Sequence, residues 1–361
     1  MTSPTADPSR IVRVTDFEPL ARAWLDPAAY DYIAGGSWDE ITLAENEAAW
    51  RRRRFRPRIL VDVSRVDPST TLLGSPAALP LAIAPMAIHG IAHPDGEVAT
   101  ARAAAAAGVP FTLSTMASRS IEEVAAGAPD GTRWFQLYVQ RDRGLARSFV
   151  ERAVGAGYSG IVLTVDLPLL GYRERDLRSG FELPPLGNFP AARPSHQTRL
   201  HHGNDEADGA PEAKTLTWDD LSTIRSWSTV PLVLKGILTA EDARLAVEHG
   251  VDTIVVSNHG ARQLDRVPAS IDVLAEIVAA VHGRAEVWVD GGVRRGLDIA
   301  IALALGARGV LIGKPILWAL AAGGQAGVER ALAILHEEFV LALALLGAPT
   351  PADIRREHLA G

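Results

Sequence analysis

The chain has 361 residues, of which 47% are hydrophobic and 22% are charged, and its formal net charge is −7. This is an ordinary globular composition with enough apolar residues for a large core, and the acidity argues against a general polyanion binder. The absence of cysteine excludes disulfides, iron–sulfur clusters and thiolate zinc sites.

We expect no targeting signal at either end of the chain. The first ten residues, MTSPTADPSR, have no apolar core behind a positive charge, so we expect no signal peptide. The last five, EHLAG, match no organelle signal, and no apolar run is long enough to span a bilayer. We therefore expect a cytoplasmic protein.

The N-terminal part, to about residue 70, is predicted to form helices that precede and cover the main fold. It contains the basic run RRRRFRPR, from Arg51 to Arg58. Runs of this kind are usually solvated faces or sets of ion pairs, and we favour that interpretation over a nucleic-acid site.

Eight short apolar runs, rich in β-forming residues, recur along the rest of the chain. They are near-continuous rather than alternating, which is typical of strands buried on both faces. Between them lie segments with helical spacing, several of which end in a glycine that can cap a helix. Strand then helix, eight times, predicts a (β/α)8 TIM barrel; a doubly wound sheet would also alternate, but the count of eight and the length favour the barrel. The runs are PLAIAPMA (80–87), PFTLST (110–115), RWFQLYV (133–139), GIVLTVD (160–166), PLVLKG (231–236), TIVVSNHG (253–260), EVWVDGG (286–292) and GVLIGKP (309–315).

The regular spacing breaks once, with a polar insertion from about Gly180 to Asp220 after the fourth run. Loops of this length are usually lids or disordered, so we expect a mobile, lid-like loop. It contains His201 and His202, but no third ligand is implied, and we expect no metal site. The chain closes with an amphipathic helix, ILHEEFVLALALLG, and we expect residues 1–361 to form a single barrel domain.

Polar and ionisable residues collect where the apolar runs stop. Barrel enzymes place their chemistry at the C-terminal ends of the strands, so this clustering in register predicts an active site. The residues concerned are Pro85, Met86, Ala87, Ser114, Gln136, Tyr138, Thr164, Asp166, Lys235, His259, Arg262, Asp290, Gly291, Gly292, Arg294, Gly313 and Lys314.

The last two strands end in DGGVRRG and IGKP. Adjacent glycines let backbone N–H groups approach an anion closely, and Arg294 and Lys314 supply positive charge. We predict a phosphate site here; the alternative is that Gly291 and Gly292 merely make a tight turn.

On the other side of the mouth, two tyrosines and two arginines are expected near His259: Tyr32, Tyr138, Arg173 and Arg262. Arginine holds a carboxylate in a two-pronged geometry, and a neighbouring histidine can take a proton at neutral pH. Asp166 could orient that imidazole and stabilise its cation.

Each of these residues also has a simpler interpretation. Arg173 could only pair with Glu174 or Asp176, His259 could only satisfy its turn, and Tyr32 could be a core aromatic. Spacing alone leaves both interpretations open.

Six stretches resemble the FMN-dependent 2-hydroxy-acid oxidase and dehydrogenase family, whose members include glycolate oxidase, lactate oxidase and mandelate dehydrogenase, and the resemblance covers nearly the whole chain. They are SNHGARQLD, LTVDLPLLGYRERDLRSGF, WFQLYV, VLKGILTAEDARLAVEHG, WVDGGVRRGLDIAIALALGARGVLIGKP and YDYIAGGSWDEITLAEN. The resemblance implies a barrel with FMN at its mouth that oxidises an (S)-2-hydroxy acid to a 2-oxo acid. Electrons would pass to oxygen, giving hydrogen peroxide, or to another acceptor, and members are often homotetramers.

The resemblance also implies roles on the substrate side. His259 would be the base that acts on the 2-hydroxy acid, and Asp166 would support its protonated form. Tyr138 would hydrogen-bond near the substrate hydroxyl or keto oxygen. The carboxylate would be held by Arg262 and Arg173, with Tyr32 assisting.

On the cofactor side, the resemblance implies that Lys235 sits by flavin N1 and the C2 carbonyl, where a fixed cation stabilises the negative charge of the reduced ring. The segment Pro85, Met86, Ala87 would pack against the ring, with a backbone N–H near N5. The polar edge would contact Ser114, Gln136 and Thr164, Ser257 would face the ring, and Asp290 would bind the ribityl chain. The phosphate would be taken by Gly291, Gly292, Arg294, Gly313 and Lys314.

Three positions bear on how the phosphate is held, which substrate is accepted and whether the enzyme is an oxidase. Lys314 stands where the family usually has arginine. Lysine keeps the positive charge but lacks the two-pronged hydrogen bonding of the guanidinium group. Met116 stands where glycolate oxidase has tryptophan, so we expect a roomier substrate pocket and an acid larger than glycolate: lactate-like, longer aliphatic or mandelate-like. Ala87 matches the oxidases, whereas some dehydrogenases and monooxygenases of the family have glycine, so an oxidase is favoured over a dehydrogenase.

Three rival functions remain at this point. One is an FMN barrel isomerase without net oxidation, which would not need two carboxylate-binding arginines beside a histidine. The others are a non-catalytic flavoprotein and a sugar-phosphate aldolase in which Lys235 forms a Schiff base.

Overall fold

The structure is a computed structural model that describes residues 10–189 and 214–360. Three helices come first, and the segment from residue 52 to residue 69 contains none, so the N-terminal helices end at Arg51 rather than near residue 70. A short antiparallel hairpin follows. The elements are α1 (Phe17–Trp24), α2 (Pro27–Ala34), α3 (Ile41–Arg51), β1 (Thr70–Leu72) and β2 (Ser75–Ala77).

Eight parallel strands then close into a barrel, in which each strand pairs with the next and the last pairs with the first. Every predicted apolar run contributes one strand, and the prediction of a (β/α)8 barrel is confirmed. The strands are β3 (Leu81–Met86), β4 (Phe111–Ser114), β5 (Arg133–Leu137), β6 (Ile161–Thr164), β7 (Leu232–Ile237), β8 (Thr253–Val256), β9 (Glu286–Val289) and β10 (Gly309–Ile312).

The surrounding helices are α4 (Gly96–Ala106), α5 (Ile121–Gly127), α6 (Arg143–Gly155), α7 (Glu174–Ser179), α8 (Asp220–Arg225), α9 (Ala240–Glu248), α10 (Ser270–Val281), α11 (Gly296–Ala304) and α12 (Lys314–Leu346). The predicted C-terminal helix is thus the second half of α12. Gly323 and Gly324 interrupt α12 with non-helical dihedrals. Gly324 has a φ of +57°, a conformation that glycine adopts readily.

The barrel interior is filled by side chains beneath its mouth. Trp134 of β5 and Trp288 of β9 stack across it with ring centroids 5.0 Å apart. Buried aliphatic side chains of the other strands surround the two indoles, and Leu72 and Leu73 of the N-terminal hairpin join the same cluster. The barrel is therefore a packed core, and its chemistry is expected at the mouth rather than inside it.

The first part of the insertion packs against the barrel rather than hanging free of it. Phe181 stacks on Tyr32 with ring centroids 4.3 Å apart. The Asn188 side chain is buried, accepts from Ile121 N–H at 2.9 Å and donates to the carbonyl of Ser114 at 3.2 Å. Residues 181–189 thus pack on the rest of the protein, the mobile, lid-like loop stays a prediction, and His201 and His202 lie outside the described residues.

The basic run Arg51–Arg58 forms ion pairs, as interpreted from the sequence. Arg52 contacts Glu45 and Asp272, each at 2.8 Å, and Arg53 shares Asp272. Within residues 10–189 and 214–360, no group of three or more histidine or acidic side chains could hold a metal ion. No helix in those ranges is long and apolar enough to cross a membrane.

Candidate active site

A continuous row of buried polar side chains crosses five neighbouring strands at the mouth. The Ser114 hydroxyl donates to Gln136 Oε1 at 3.2 Å, and Gln136 Nε2 donates to Thr164 Oγ1 at 3.1 Å. Thr164 pairs in register with Lys235, whose ammonium donates to Ser257 Oγ at 3.0 Å. Side chains that the sequence separates by up to 143 positions therefore form one polar layer, directly above the tryptophan pair.

Asp290 completes this layer. Its Oδ2 lies 3.4 Å from the Lys235 ammonium, and both side chains are almost fully buried. Its other oxygen, Oδ1, is also buried and has no hydrogen-bond partner among the described residues. A buried acceptor without a donor is costly, so this oxygen marks a place where a ligand hydroxyl would fit.

His259 is held between Asp166 and Tyr138. Its Nδ1 lies 2.8 Å from Asp166 Oδ1, and its Nε2 lies 3.2 Å from the Tyr138 hydroxyl. A carboxylate can only accept, so Nδ1 carries the proton and Nε2 is left as the basic nitrogen that accepts from the phenol. His259 also has a φ of +59°, an unusual conformation for a non-glycine residue and one that is concentrated at functional sites.

Glycine at position 236 makes room for this arrangement. Gly236 has a φ of +117°, and a Cβ there would lie 2.7 Å from both Cβ and Cγ of Asp166. A side chain at this position would push the carboxylate away from His259. The glycine of the predicted VLKG run thus has a steric role that its sequence context does not reveal.

Burial and the neighbouring charges set the protonation states of His259 and Asp166. It lowers the pKa of His259, against the opposing effect of the Asp166 carboxylate, and the Lys235 charge lowers it further. Burial alone would raise the pKa of Asp166, but the nearby His259 and Lys235 hold it below its usual range. Both directions agree on a neutral imidazole beside an ionised carboxylate, which is the state that a general base requires.

Two arginines and a tyrosine lie beside the histidine. The Arg262 guanidinium stacks 4.7 Å from the centroid of the Tyr32 ring and donates to the carbonyls of Tyr32 at 2.5 Å and Gly35 at 3.1 Å. Arg173 Nε donates to the Arg262 carbonyl at 3.2 Å. Burial, followed by the charge of Arg262, lowers the pKa of Arg173 to about 10. Arg173 is buried and Arg262 half-buried, and two like charges held together in this way are stabilised by an anion between them.

The structure also bears on the simpler interpretations of Arg173, as an ion-pair partner, and of Tyr32, as a core aromatic. Glu174 pairs with Arg178, whereas the charge of Asp176 raises the pKa of Arg173, so an interaction with Asp176 is retained beside the proposed role at the substrate. Tyr32 is 8% exposed and stacked on Phe181, so it is a core aromatic as well as a neighbour of Arg262. The two interpretations of Tyr32 are compatible.

The glycine-rich loop after β9 packs on α3. Gly291 and Gly292 have φ of +88° and +83°, and a Cβ on Gly292 would lie 2.0 Å from the Asn46 carbonyl oxygen. Trp50 Nε1 donates to the Gly291 carbonyl at 2.8 Å. The glycines therefore serve close packing as well as any ligand, so both interpretations of the loop are retained.

Two cations flank this loop. Arg294 pairs with Glu47 at 2.9 Å, and its buried Nε has no hydrogen-bond partner within the described part of the chain. The Lys314 ammonium lies 3.1 Å from each of the carbonyls of Ala34 and Gly35. Burial, then the charges of Arg262 and Arg294, lower the pKa of Lys314 well below its usual range. A phosphate group would offset this desolvation and repulsion, so the residues present fit one.

The ends of β3 and β4 complete the mouth. Pro85, Met86 and Ala87 are half-buried, as is Met116. Gly313 lies against Met86, whose sulfur would be 3.4 Å from a Cβ at that glycine. These residues lie where the sequence predicted them, at the carboxyl ends of neighbouring strands.

Several polar residues that support the site were missed from the sequence. Gln263 Nε2 donates to the carbonyls of Asp166 at 2.9 Å and Leu169 at 2.7 Å. The side chains of Asn46 and Asn258 exchange two hydrogen bonds, at 2.9 and 2.7 Å. No spacing pattern marks such residues, because their partners come from distant elements.

Comparison with known proteins bears on what this site does. A family model described as FMN-dependent dehydrogenase matches residues 21–361. An L-lactate oxidase of Nostoc sp. is 50% identical over 356 residues, which cover 96% of this chain and 98% of that protein. Glycolate oxidase of Spinacia oleracea is 48% identical over 354 residues, 97% of this chain and 96% of that protein. A crystal structure of mandelate oxidase with benzoyl-formic acid matches with a TM-score of 0.87 and 44% identity, over 97% of this chain and 98% of that one.

Proposed function

The chain belongs to the FMN-dependent dehydrogenase family, and from that membership we propose that it oxidises an (S)-2-hydroxy acid to the 2-oxo acid at the barrel mouth. The three relatives are named for lactate, glycolate and mandelate, each of which is a 2-hydroxy acid. The observation that carries the proposal is the Tyr138–His259–Asp166 arrangement, close enough to Arg173 for that charge to lower the pKa of His259, with Arg262 bonded to Arg173.

FMN is the cofactor, and it supplies the acceptor for the two electrons of the oxidation. The buried polar layer, with the unpartnered Asp290 Oδ1, fits a polar ring edge and a hydroxylated chain. The loops after β9 and β10, with Arg294 and Lys314, fit the phosphate. We propose the cofactor-binding residues on this basis: Pro85, Met86, Ala87, Ser114, Gln136, Thr164, Lys235, Ser257, Asp290, Gly291, Gly292, Arg294, Gly313 and Lys314.

The chain's own residues bind and orient the substrate. Arg173 and Arg262 hold the carboxylate, with Tyr32 beside them. Tyr138 donates a hydrogen bond near the substrate hydroxyl. His259 Nε2 takes a proton, either from carbon or from the hydroxyl, and Asp166 stabilises the imidazolium that results.

The rate of flavin reduction should depend on pH through His259. The base must be neutral, and burial lowers its pKa below the ordinary value of 6.5. We therefore expect the second-order rate constant to fall on the acid side, with the midpoint of that fall below pH 6.5. Stopped-flow flavin reduction at low substrate concentration, measured across the acid range, checks this.

Asp166→Asn is the matched variant for the pH profile. Loss of the carboxylate removes the interaction that raises the histidine pKa, so the acid limb should move to still lower pH while the plateau rate falls. An acid limb that stays at the same pH in Asp166→Asn would contradict the assignment of His259 as the base, because the carboxylate raises the pKa of that histidine.

We propose molecular oxygen as the electron acceptor, with hydrogen peroxide as the product, and a substrate larger than glycolate. The names of the relatives support an oxidase. Half-buried Met116, at the mouth beside the β3 loop, supports the roomier pocket. The alternatives are a dehydrogenase that passes electrons to another acceptor and an FMN barrel isomerase.

A panel of 2-hydroxy acids, mixed without oxygen with the FMN-loaded protein, tests the function. We expect lactate, longer aliphatic acids or mandelate to bleach the oxidised flavin absorbance faster than glycolate, and air to restore it quickly with release of peroxide. Slow reoxidation in air would favour the dehydrogenase. No bleaching by any member of the panel would overturn the proposed reaction.

We also propose that residues 1–361 form one domain and that the protein is a homotetramer. Ile59 is 82% exposed and Leu60 fully exposed, on a segment bonded through Arg58 N–H to the carbonyl of Leu346 at the end of α12. Leu341 and Leu345, one turn apart on that helix, are also exposed. Clustered exposed aliphatic side chains are typical of a protein interface. The cytoplasmic location stays a prediction.

A further inference from the structure

Two loops at the mouth, 86–91 after β3 and 115–120 after β4, are joined to each other. Ile88 N–H donates to the carbonyl of Met116 at 3.0 Å. Ile88 has φ of +46° and ψ of +55°, a left-handed conformation that is unfavourable for a β-branched residue. Such a conformation persists only where the surrounding contacts hold it in place.

Glu97, in the first turn of α4, is the group that holds both loops. Its carboxylate accepts from His89 N–H at 2.9 Å and Ser118 N–H at 2.8 Å through Oε1. Through Oε2 it accepts from the Ser118 hydroxyl at 2.6 Å and from Arg119 N–H at 3.1 Å. One carboxylate thus receives four donors from two loops that are far apart in sequence.

The surroundings of Glu97 are shaped for this contact. The Glu97 side chain is fully buried, and the four donors are all neutral. Gly90 N–H donates to Ser118 Oγ at 2.9 Å, and a Cβ on Gly90 would lie 2.8 Å from that oxygen. His89, also fully buried, is fastened to Thr100 of α4 through Nδ1 at 2.9 Å. A buried carboxylate that is satisfied only by fixed neutral donors imposes its geometry on them.

We propose that Glu97 is a positioning residue for the oxidation, which sets where Met86 to Ile88 and Met116 stand at the mouth. The inference rests on the proposed function, because those two segments are the ones assigned to the flavin and to the substrate. Two accepting oxygens matter as well as shape, since a glutamine would turn an NH2 group toward backbone donors and lose at least one contact.

Glu97→Gln tests this. We expect the FMN-loaded variant to be reduced by substrate about 10- to 100-fold more slowly, with a larger change in kcat than in KM, because small misplacements of reacting groups have effects of this size. We also expect a shifted visible spectrum of the oxidised flavin. By hydrogen-exchange mass spectrometry, the segments containing the amides of His89, Ser118 and Arg119 should exchange faster, with or without FMN.

Asp252→Asn is the matched control. Asp252 accepts from Leu232 N–H at 2.8 Å and contacts Arg225 at the opposite end of the barrel. Its loss should lower the Tm without moving the flavin spectrum or the exchange at the mouth. Where Glu97→Gln fails to fold, Ser118→Ala replaces it; this variant removes only the hydroxyl contacts and should give the same changes on a smaller scale.

Unchanged exchange together with an unchanged reduction rate in the folded variant would overturn the proposal. A loss of rate in Asp252→Asn equal to that in Glu97→Gln would overturn it too, because the effect would then be general destabilisation. Failure of the proposed function is distinct: no 2-hydroxy acid would reduce the unsubstituted protein, whereas the spectrum and exchange do not depend on substrate.

Discussion

Replacement of His259 by glutamine is expected to slow the reduction of bound flavin by substrate by about 10²–10⁴-fold, the usual contribution of a positioned general base. FMN should stay bound, since the polar layer and the phosphate loops do not use the imidazole. Glutamine is polar and of similar length but cannot take up a proton at neutral pH. Anaerobic stopped-flow measurement of flavin bleaching, with the bound flavin counted by absorbance, checks both parts.

His249→Gln serves as the control for this substitution. His249 lies at the end of α9, where its Nδ1 lies 2.8 Å from the carbonyl of Leu245, far from the mouth. The control variant should reduce its flavin at the unsubstituted rate. Bleaching at full rate in His259→Gln would remove His259 from the mechanism.

Replacement of Arg262 by methionine is expected to lower kcat/KM for a 2-hydroxy acid by about 30-fold to 4,000-fold. Removing one partner of a buried, hydrogen-bonded charge pair costs about 2–5 kcal/mol, and each 1.4 kcal/mol is a factor of ten. Most of the loss should fall on KM, because the carboxylate is held equally before and during the reaction. Steady-state kinetics and flavin reduction across substrate concentrations measure this.

Kinetics with the neutral amide of the same substrate separate recognition of the carboxylate charge from an effect of Arg262 on the fold. Arg262 also donates to the carbonyls of Tyr32 and Gly35, so its loss could loosen α2. If it binds the carboxylate, Arg262→Met should penalise the acid far more than the amide. An equal loss for acid and amide would mean that Arg262 acts through the fold alone.

The mouth differs electrostatically from the whole chain. The net charge is −7, yet the mouth holds Lys235, Arg173, Arg262 and Lys314, each almost fully buried or half-buried. Set against Asp166 and Asp290, these four basic side chains leave an excess of positive charge at the mouth, and such an excess in a low-dielectric cleft attracts ligands of the other sign. Overall acidity argues against a general polyanion binder, but it carries no information about this local field.

The sequence by itself determined the architecture and the residue types at the site. Near-continuous apolar runs are a local signal of doubly buried strands, and eight of them, each followed by a helix, indicate one fold. The barrel places every strand end at one mouth, so the candidate residues followed from where the runs stop. The resemblance of the motifs then identified the family.

Only the tertiary structure decided which of those residues meet, and how. Asp166 and His259 are 93 positions apart, and Tyr138 and His259 are 121 apart, so their contacts depend on barrel closure and on side-chain rotamers. Glu97 reads from the sequence as an ordinary first-turn helix residue. In the structure Glu97 is buried and accepts hydrogen bonds from four donors in two loops, so it holds those loops together. Contacts between residues that are distant in sequence produce no periodic pattern from which they could be predicted.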